Sequence, residues 1–225
     1  MQLDGNAPLD MLSLIAQYLH QPVTDTGASP LTTPLAVQFC NDGYVQFAID
    51  TGCFWRAIPL SVVSGTAVYP LPADTYDVVD VIDTQYGHKL RRTTLEMVRG
   101  ASMENVGWAS LDASSPYTLQ YIFDPTIGIT IVPTPTASVT LNVYATFVPS
   151  DVAGSIAPLL VAGTNAVPTL PSMFQNCPAL WAAGNLAQTV FPDDDVAAKG
   201  AEGAIAYYHR RVSDYLNAKY QGVTC

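Results

Sequence analysis

Apolar residues recur at helical spacing in two segments at the start of the chain. In the first segment they fall every three or four positions and so share one helix face: Leu9, Leu12, Ile15, Ala16 and Leu19. In the second segment, Thr33 is a suitable N-cap, Pro34 suits a first helical turn, and Gly52 is placed to end the helix. The pattern therefore predicts a pair of helices within residues 1–53.

From residue 54 the pattern changes to short apolar runs separated by proline and glycine. Such runs, rich in Val, Ile, Thr and aromatic residues, predict strands, which we place at 58–63, 67–71, 78–83, 89–91, 118–123, 128–132 and 138–147. Strands this short and frequent are typical of a sandwich or barrel. Residues 54–150 are therefore predicted to form a small antiparallel β domain.

The remainder of the chain returns to helical spacing after a loop that is rich in small residues, predicted at 151–170. Pro171 opens a helical segment that extends to Phe191, in which Pro178 imposes a kink or a break, and a final helix runs from about residue 196 to 221. The helices within 171–225 are predicted to complete a bundle with the N-terminal pair. The predicted fold class is therefore α+β, with a helical bundle built from both ends of the chain and an inserted antiparallel β-sandwich or barrel.

The chain carries unusually few charges for its length. Only 12% of its residues are Asp, Glu, Lys or Arg, against roughly 25% in ordinary soluble domains. The large uncharged surface that follows is typical of subunits that bury much of themselves in neighbours, so we expect an oligomer. A net charge of −10 argues against tight DNA binding, which needs a basic face. It is compatible with an acidic wall that DNA slides past, and equally with a charge that only maintains solubility.

No feature of the sequence indicates a membrane protein. No segment approaches the roughly 20 apolar residues that a membrane-spanning helix needs. The N-terminus also lacks the basic and apolar regions of a signal peptide. We therefore expect no membrane partner and synthesis in the cytoplasm.

The cysteines and histidines do not fall into a catalytic or metal-binding pattern. No Cys-x-x-Cys pair, His-x-x-x-His pair or phosphate-binding glycine loop occurs among or around these residues: Cys40, Cys53, Cys177, Cys225, His20, His88 and His209. Cys40 and Cys177 lie among apolar residues and are predicted to be core residues. We expect no enzymatic activity, no cofactor and no metal.

Four aspartates recur every three positions, at 74, 77, 80 and 83. On a helix they would share a face and could bind a cation. The valines and isoleucine between them favour a strand instead, in which a three-residue spacing alternates between the two faces. We therefore predict a turn and a strand here, and likewise helix capping by the cluster Asp193–Asp195.

Two islands of basic residues are the candidate interaction sites. The last helix combines tyrosines with cations, and Tyr and Arg are favoured in protein interfaces. The second island could be a solvated strand and turn, or it could contact the acidic surface of a neighbouring subunit. The candidate residues for a portal or subunit interface are Tyr207, Arg210, Arg211, Tyr215, Lys219 and Tyr220 in the helix, and Lys89, Arg91 and Arg92 in the second island. Against this, Tyr208 and Tyr215 fall on the apolar stripe of the helix and are predicted to pack in the core.

The order of short motifs in the β block resembles that of the head-to-tail adaptor proteins of tailed bacteriophages, also called connector or head-completion proteins. A Tyr-x-Leu-Pro-x-Asp element is present at Tyr69–Asp74. A Pro-x-x-x-x-Tyr element follows at Pro116–Tyr121, then a Pro-x-Pro strand exit at Pro133–Pro135, and then a tyrosine-containing strand that ends in proline at Leu141–Pro149. The motifs are short, but they occur in the family's order, and the Pro-led and final helices follow them.

This resemblance implies a structural role at the head–tail junction of a virion. It implies a ring, of twelve subunits, that docks on the portal protein at one capsid vertex, extends the channel for genomic DNA and presents a platform to a tail or nozzle protein. It also implies that the segment after Asp214 reaches the portal, so that deleting Tyr215–Cys225 would abolish docking.

Two other functions are compatible with the sequence. A β-sandwich with helical flanks could be a binding module of a tail accessory protein, recognising carbohydrate or a host protein in a groove lined by Trp55 or Trp108. The second alternative is a hydrolase, in which carboxylates that are dispersed in the sequence come together only in the folded protein. The adaptor interpretation predicts large rings without turnover, whereas the binding module predicts a monomer or trimer.

Overall fold

The computed structural model describes residues 8–24, 29–98, 119–151, 155, 157–161 and 168–220. The chain divides into two compact units. The helical unit consists of Met1–Cys53 and Pro149–Cys225, and the β unit is Phe54–Val148. The fold is of mixed α and β type, with helices in one unit and two β sheets in the other.

Four α-helices and one 3₁₀ turn are described in the helical unit. They are α1 Pro8–Leu19, α2 Thr33–Thr51, a 3₁₀ turn Ser172–Phe174, α3 Cys177–Val190 and α4 Asp195–Tyr220. α3 packs against each of the other three helices, and most of its residues are buried. α4 also packs against α1 and α2. None of the described helices combines the length and the apolar character that crossing a membrane requires.

The ends of α2 and α3 follow from proline and glycine. Thr32, rather than the predicted Thr33, is the N-cap of α2, while Pro34 lies in the first turn as expected. Gly52 ends the helix in the left-handed conformation (φ 55°), and its N–H donates to the Ala48 carbonyl at 2.8 Å. The helical segment predicted from Pro171 is broken rather than kinked, because it divides into the 3₁₀ turn Ser172–Phe174 and α3, and Pro178 lies in the first turn of α3. A proline there has no hydrogen bond to lose, so it starts the helix rather than kinking it.

Aromatic rings form the core between α2, α4 and the 3₁₀ turn. The Phe47 ring contacts Phe174, Tyr208 and Tyr215 at centroid distances of 5.9, 6.4 and 5.8 Å, and the Phe174 and Tyr215 rings are 5.2 Å apart. Three of these pairs are edge-to-face, which is the favoured geometry between aromatic rings. As the apolar stripe predicts, Tyr208 and Tyr215 are therefore core residues.

The β unit contains a three-stranded and a four-stranded sheet. Its strands are β1 Trp55–Val62, β2 Val68–Tyr69, β3 Thr75–Asp83, β4 Arg91–Arg92, β5 Gln120–Asp124, β6 Gly128–Val132 and β7 Val139–Phe147. The strand orders are β1-β7-β3 and β2-β6-β5-β4. The pairing is antiparallel except between β4 and β5, which are parallel, so the expectation of a purely antiparallel domain is wrong at that pair. Closure into a sandwich or barrel stays a prediction.

β3 carries three of the four evenly spaced aspartates. The predicted alternation between faces is wrong for Asp77 and Asp80, although Asp80 and Asp83 do lie on opposite sides of the strand. The register against β7 shifts between Thr75 and Asp77 and again between Val78 and Asp80. Each shift inserts an extra residue opposite β7, as in a β-bulge. Thr75, Val78 and Val81 are consequently all buried, while Asp77 and Asp80 are half-buried on the other side of the strand.

Candidate interaction surfaces

The tyrosines and arginines of α4 do not form one continuous exposed cluster. Arg210 is exposed, and it makes no ion pair or hydrogen bond with any residue that the structure describes. The guanidinium of Arg211 lies 5.0 Å from the centre of the half-buried Tyr207 ring, a cation–π contact. Tyr215 is buried in the aromatic core. Tyr220 is the last residue of α4, and its side chain lies outside the described part of the chain.

Lys219 connects the end of α4 to the end of α2. Its Nζ donates to the carbonyl oxygens of Thr51 and Gly52 at 3.0 and 3.3 Å. Carbonyls at a helix C-terminus lack partners within the helix and attract positive charge. The sequence offers Lys219 as an interface cation, and the structure shows that it already binds within its own chain.

Two of the three cations of the second island are also engaged internally. Lys89 forms an ion pair with Asp80. Arg92 pairs with Asp77 at 2.9 Å, donates to the Val78 carbonyl at 3.3 Å and lies over the Phe123 ring at 5.9 Å. Arg91 is exposed and has no such contact among the described residues. Because Asp80 and Asp77 neutralise Lys89 and Arg92, Arg91 is the one of these three cations that is available to a partner.

Two of the carboxylates, those of Asp83 and Asp194, stabilise local backbone structure. Asp83 is fully buried and accepts hydrogen bonds from the backbone N–H groups of Gln85 and Tyr86 at 3.1 and 2.9 Å, which fixes the turn after β3. Asp194 accepts from the N–H groups of Val196 and Ala197 at 2.9 and 3.1 Å, so the predicted capping of the last helix is confirmed. These donors hold the pKa of Asp194 below its ordinary value.

Three other groups that could carry chemistry, the Tyr208 hydroxyl and the Cys40 and Cys177 thiols, belong to buried residues. The Tyr208 hydroxyl donates to Asp50 at 2.7 Å, and burial, reinforced by that carboxylate, raises the pKa of Tyr208 far above its ordinary value. Burial also raises the pKa of the Cys40 and Cys177 thiols to about 12, which suppresses the reactive thiolate. Among the described residues, no group of three or more His, Cys, Asp or Glu is placed to hold a metal ion.

The structure adds two surface features that the candidate set lacks. Asp42 is exposed in the middle of α2 and makes no ion pair or hydrogen bond with the described residues. The spacing of Pro34, Gln38 and Asp42, four residues apart, is the sequence signal that could have identified this exposed ridge. On the three-stranded sheet, Trp55 is 61% exposed, with its ring 6.4 Å from that of Tyr144. Trp108, the other predicted groove residue, lies outside the described residues.

Comparison with known protein families gives a match that covers nearly the whole chain. The profile of the SU10 adaptor protein family matches residues 9–222, which include residues of both units. A comparison with curated proteins gave no match. The family match confirms the resemblance to adaptors of tailed bacteriophages, which are structural proteins of the virion that act in tail assembly. The chain belongs to the SU10 adaptor protein family.

Proposed function

We propose that this protein forms a ring at the head–tail junction that connects the capsid portal to the tail and extends the DNA channel. The observation that carries the proposal is the family match over residues 9–222, because it places both units in a family of adaptors. We propose twelve subunits per ring, a helical bundle completed by both ends of the chain, and a sandwich-like β domain between them.

The exposed surface of the β unit supports assembly with neighbours. Large apolar side chains about half exposed or more occur throughout it: Trp55, Val63, Val68, Tyr76, Val79, Tyr86, Leu95, Met97 and Ile127. Contact with another protein surface removes such side chains from water, and each Å² of apolar surface buried contributes roughly 25 cal/mol. We propose that this unit makes lateral contacts in the ring and contacts to the tail or nozzle protein.

Charge supports passage of DNA without specific binding. The chain carries 19 acidic and 9 basic residues, and several of the cations are engaged within the chain, as Lys89, Arg92 and Lys219 are. A channel wall with few available cations releases few counterions from DNA and therefore binds it weakly. Genomic DNA is then a transient occupant of the channel.

The portal contact is proposed for the helical unit. Of the candidate residues there, the Tyr207–Arg211 pair is partly exposed. Deleting Tyr215–Cys225 is a poor test of this contact, because it also removes the Tyr215 ring from the aromatic core and the Lys219 hydrogen bonds to α2. Arg211→Ala retains the core and is the better variant.

The first experiment is the mass of the purified protein, alone and mixed with portal protein, measured by light scattering and negative-stain microscopy. A ring, or a stable complex with the portal, is the expected result. Arg211→Ala should weaken the portal complex, while Asp193→Ala, a substitution at an exposed residue just before α4, should not. A wild-type protein that stays monomeric and ignores the portal would refute the connector role.

One observation favours a second function, that of a binding module. The exposed Trp55 ring beside Tyr144 lies on a strand edge, and paired aromatic rings of this kind can stack on a sugar or insert into a protein partner. A glycan and host-protein binding screen on the wild type and Trp55→Ala tests it. Binding that depends on Trp55 by a protein that forms no ring would favour this function over the connector.

A further inference from the structure

The helical unit presents two outward helix faces that carry opposite unpaired charges. α3 packs against α1, α2 and α4 and most of its residues are buried, so the exposed helical surface belongs largely to the helices around it. α2 and α4 each have a buried side toward α3 and an exposed side away from the core.

The outer face of α2 carries one charge. Pro34, Gln38 and Asp42 are exposed, and Val45 and Ile49 are half-buried. At 100° per residue, these five residues fall within one sector of the helix. Asp42 is the charged residue in that sector, and apolar surface from Val45 and Ile49 adjoins it. An unpaired carboxylate beside apolar side chains gives a surface on which a cation with a long apolar stem fits.

The outer face of α4 carries such a cation, Arg210, among residues with short side chains. Gly203, Ala206, Arg210, Ser213 and Asn217 are exposed and fall on one side of the helix. The small residues around Arg210 allow another helix to approach closely.

Asp214 is one turn beyond Arg210, but no ion pair joins the two side chains. An acidic residue that follows a basic one by four positions is the less favourable order on a helix. Arg210 therefore remains available to a partner.

We propose that the outer face of α2 in one copy packs on the outer face of α4 in the next copy, with Asp42 and Arg210 paired at the centre. The occupant of each face is a second copy of this chain, because each copy supplies both halves of a charge-complementary pair. The proposal rests on the proposed ring function and names the lateral contact within it. A contact between two different surfaces of identical subunits is heterologous, and repeating it gives a ring when the rotation from copy to copy closes.

The two faces match in length as well as in charge. From Pro34 to Ile49 the α2 face extends about 22 Å, and from Gly203 to Asn217 the α4 face extends about 21 Å, at 1.5 Å per residue. The stem of Arg210 would cover Val45 and Ile49 of the neighbouring copy while its guanidinium reaches Asp42. The charge pair then sets the register in which the two helices meet.

A charge swap tests the contact. The four proteins are the wild type, Asp42→Lys, Arg210→Glu and the double variant with both changes, each measured alone and with portal protein by light scattering and analytical ultracentrifugation. Each single reversal should weaken assembly at least about tenfold, because it opposes like charges at the interface, and the double variant should recover most of the loss. Asp193→Lys makes a charge change of equal size at an exposed residue just before α4, outside both proposed faces, and should assemble like the wild type.

The outcomes separate this contact from the ring itself. Both positions are exposed and unpaired within the described chain, so each monomeric variant should keep the melting temperature of the monomeric wild type, which circular dichroism at low protein concentration checks. If the wild type assembles and the folded single variants assemble equally well, or if the double variant is no better than either single variant, the contact is refuted and the ring function stands. A wild type that never assembles, alone or with portal, refutes the ring function and the contact with it.

Discussion

Two glycines of α4, three residues apart, should respond in opposite directions to the same substitution. A Cβ atom at Gly200 would lie 1.7 Å from the carbonyl oxygen of Tyr18 and 2.8 Å from its carbonyl carbon. A Cβ atom at Gly203 would have the Tyr18 ring as its nearest neighbour, at 4.0 Å, which is an ordinary contact. α1 and α4 therefore approach each other at Gly200, where the obstacle is backbone that cannot rotate away.

The expected changes in stability combine two effects. Higher helix propensity stabilises both variants, and a steric clash destabilises the variant at Gly200 alone. Replacing glycine by alanine inside a helix contributes about 1 kcal/mol through propensity. At Gly200 the Tyr18 carbonyl must also move by more than 1 Å to reach an allowed distance, and overpacking of this kind costs about 1–3 kcal/mol or more. We expect Gly200→Ala to lower the free energy of unfolding by up to about 2 kcal/mol and Gly203→Ala to raise it by about 0.5–1 kcal/mol.

Urea denaturation followed by far-ultraviolet circular dichroism measures both changes. Because Gly203 lies on the face proposed for subunit contact, the two variants and the wild type are compared at protein concentrations at which all three are monomeric. Equal slopes against urea would show that the compactness of the end states is unchanged. A Gly200→Ala protein as stable as Gly203→Ala would refute the close approach of α1 and α4.

Three further substitutions test individual contacts. Tyr208→Phe removes the hydroxyl that donates to Asp50 at 2.7 Å and should lower the free energy of unfolding by about 1–2 kcal/mol in urea; no change would show that the bond contributes nothing. Lys219→Met removes the cation that binds the Thr51 and Gly52 carbonyls and should cost about 0.3–1 kcal/mol, an effect that high salt should reduce. Asp194→Ala removes a cap whose pKa is lower in the folded protein, so the stability that Asp194 contributes is present above its ordinary pKa of 3.8 and is lost as the pH falls through the lower folded pKa. The difference in melting temperature from the wild type should therefore be largest near neutral pH and shrink in acid, and a difference independent of pH would contradict this.

Most elements of the fold were predictable because proline, glycine and apolar spacing define them locally. β6 lies at the predicted residues 128–132, and α2 differs from its prediction only in which threonine caps it. Gly43 shows the limit of local reasoning. Propensity assigns it a cost in the middle of α2, yet a Cβ there would lie 2.6 Å from the Pro178 carbonyl oxygen of α3. The glycine is required by a neighbour more than 130 residues away, which no local pattern reveals.

The sequence predicted which types of residue form the candidate interaction site, but not which of them are exposed and unpaired on the surface. The sequence identifies basic residues, which are common in interfaces. Whether a given cation is free to bind a partner depends on which carboxylates the fold brings beside it. Asp77 and Asp80 reach the cations Arg92 and Lys89 only because two bulges turn both aspartates to the same side of β3. A bulge leaves little trace in the sequence, so the same three-residue spacing led us to expect alternation.

Because few charged side chains are available for contacts, we predict how salt affects the association and dissociation of the proposed ring. Because Lys89, Arg92 and Lys219 are satisfied within the chain, few cations remain to attract a neighbour, and most of the binding free energy must come from apolar and small polar surface. Salt screens exposed charges beyond about 8–10 Å, so raising it should slow association, which charge steers, more than it speeds dissociation. Stopped-flow mixing and dilution at low and high salt measure the two rates separately. A ring that falls apart quickly in high salt would mean that charges carry its stability, and the internal pairing of these cations would then be the wrong guide to its interfaces.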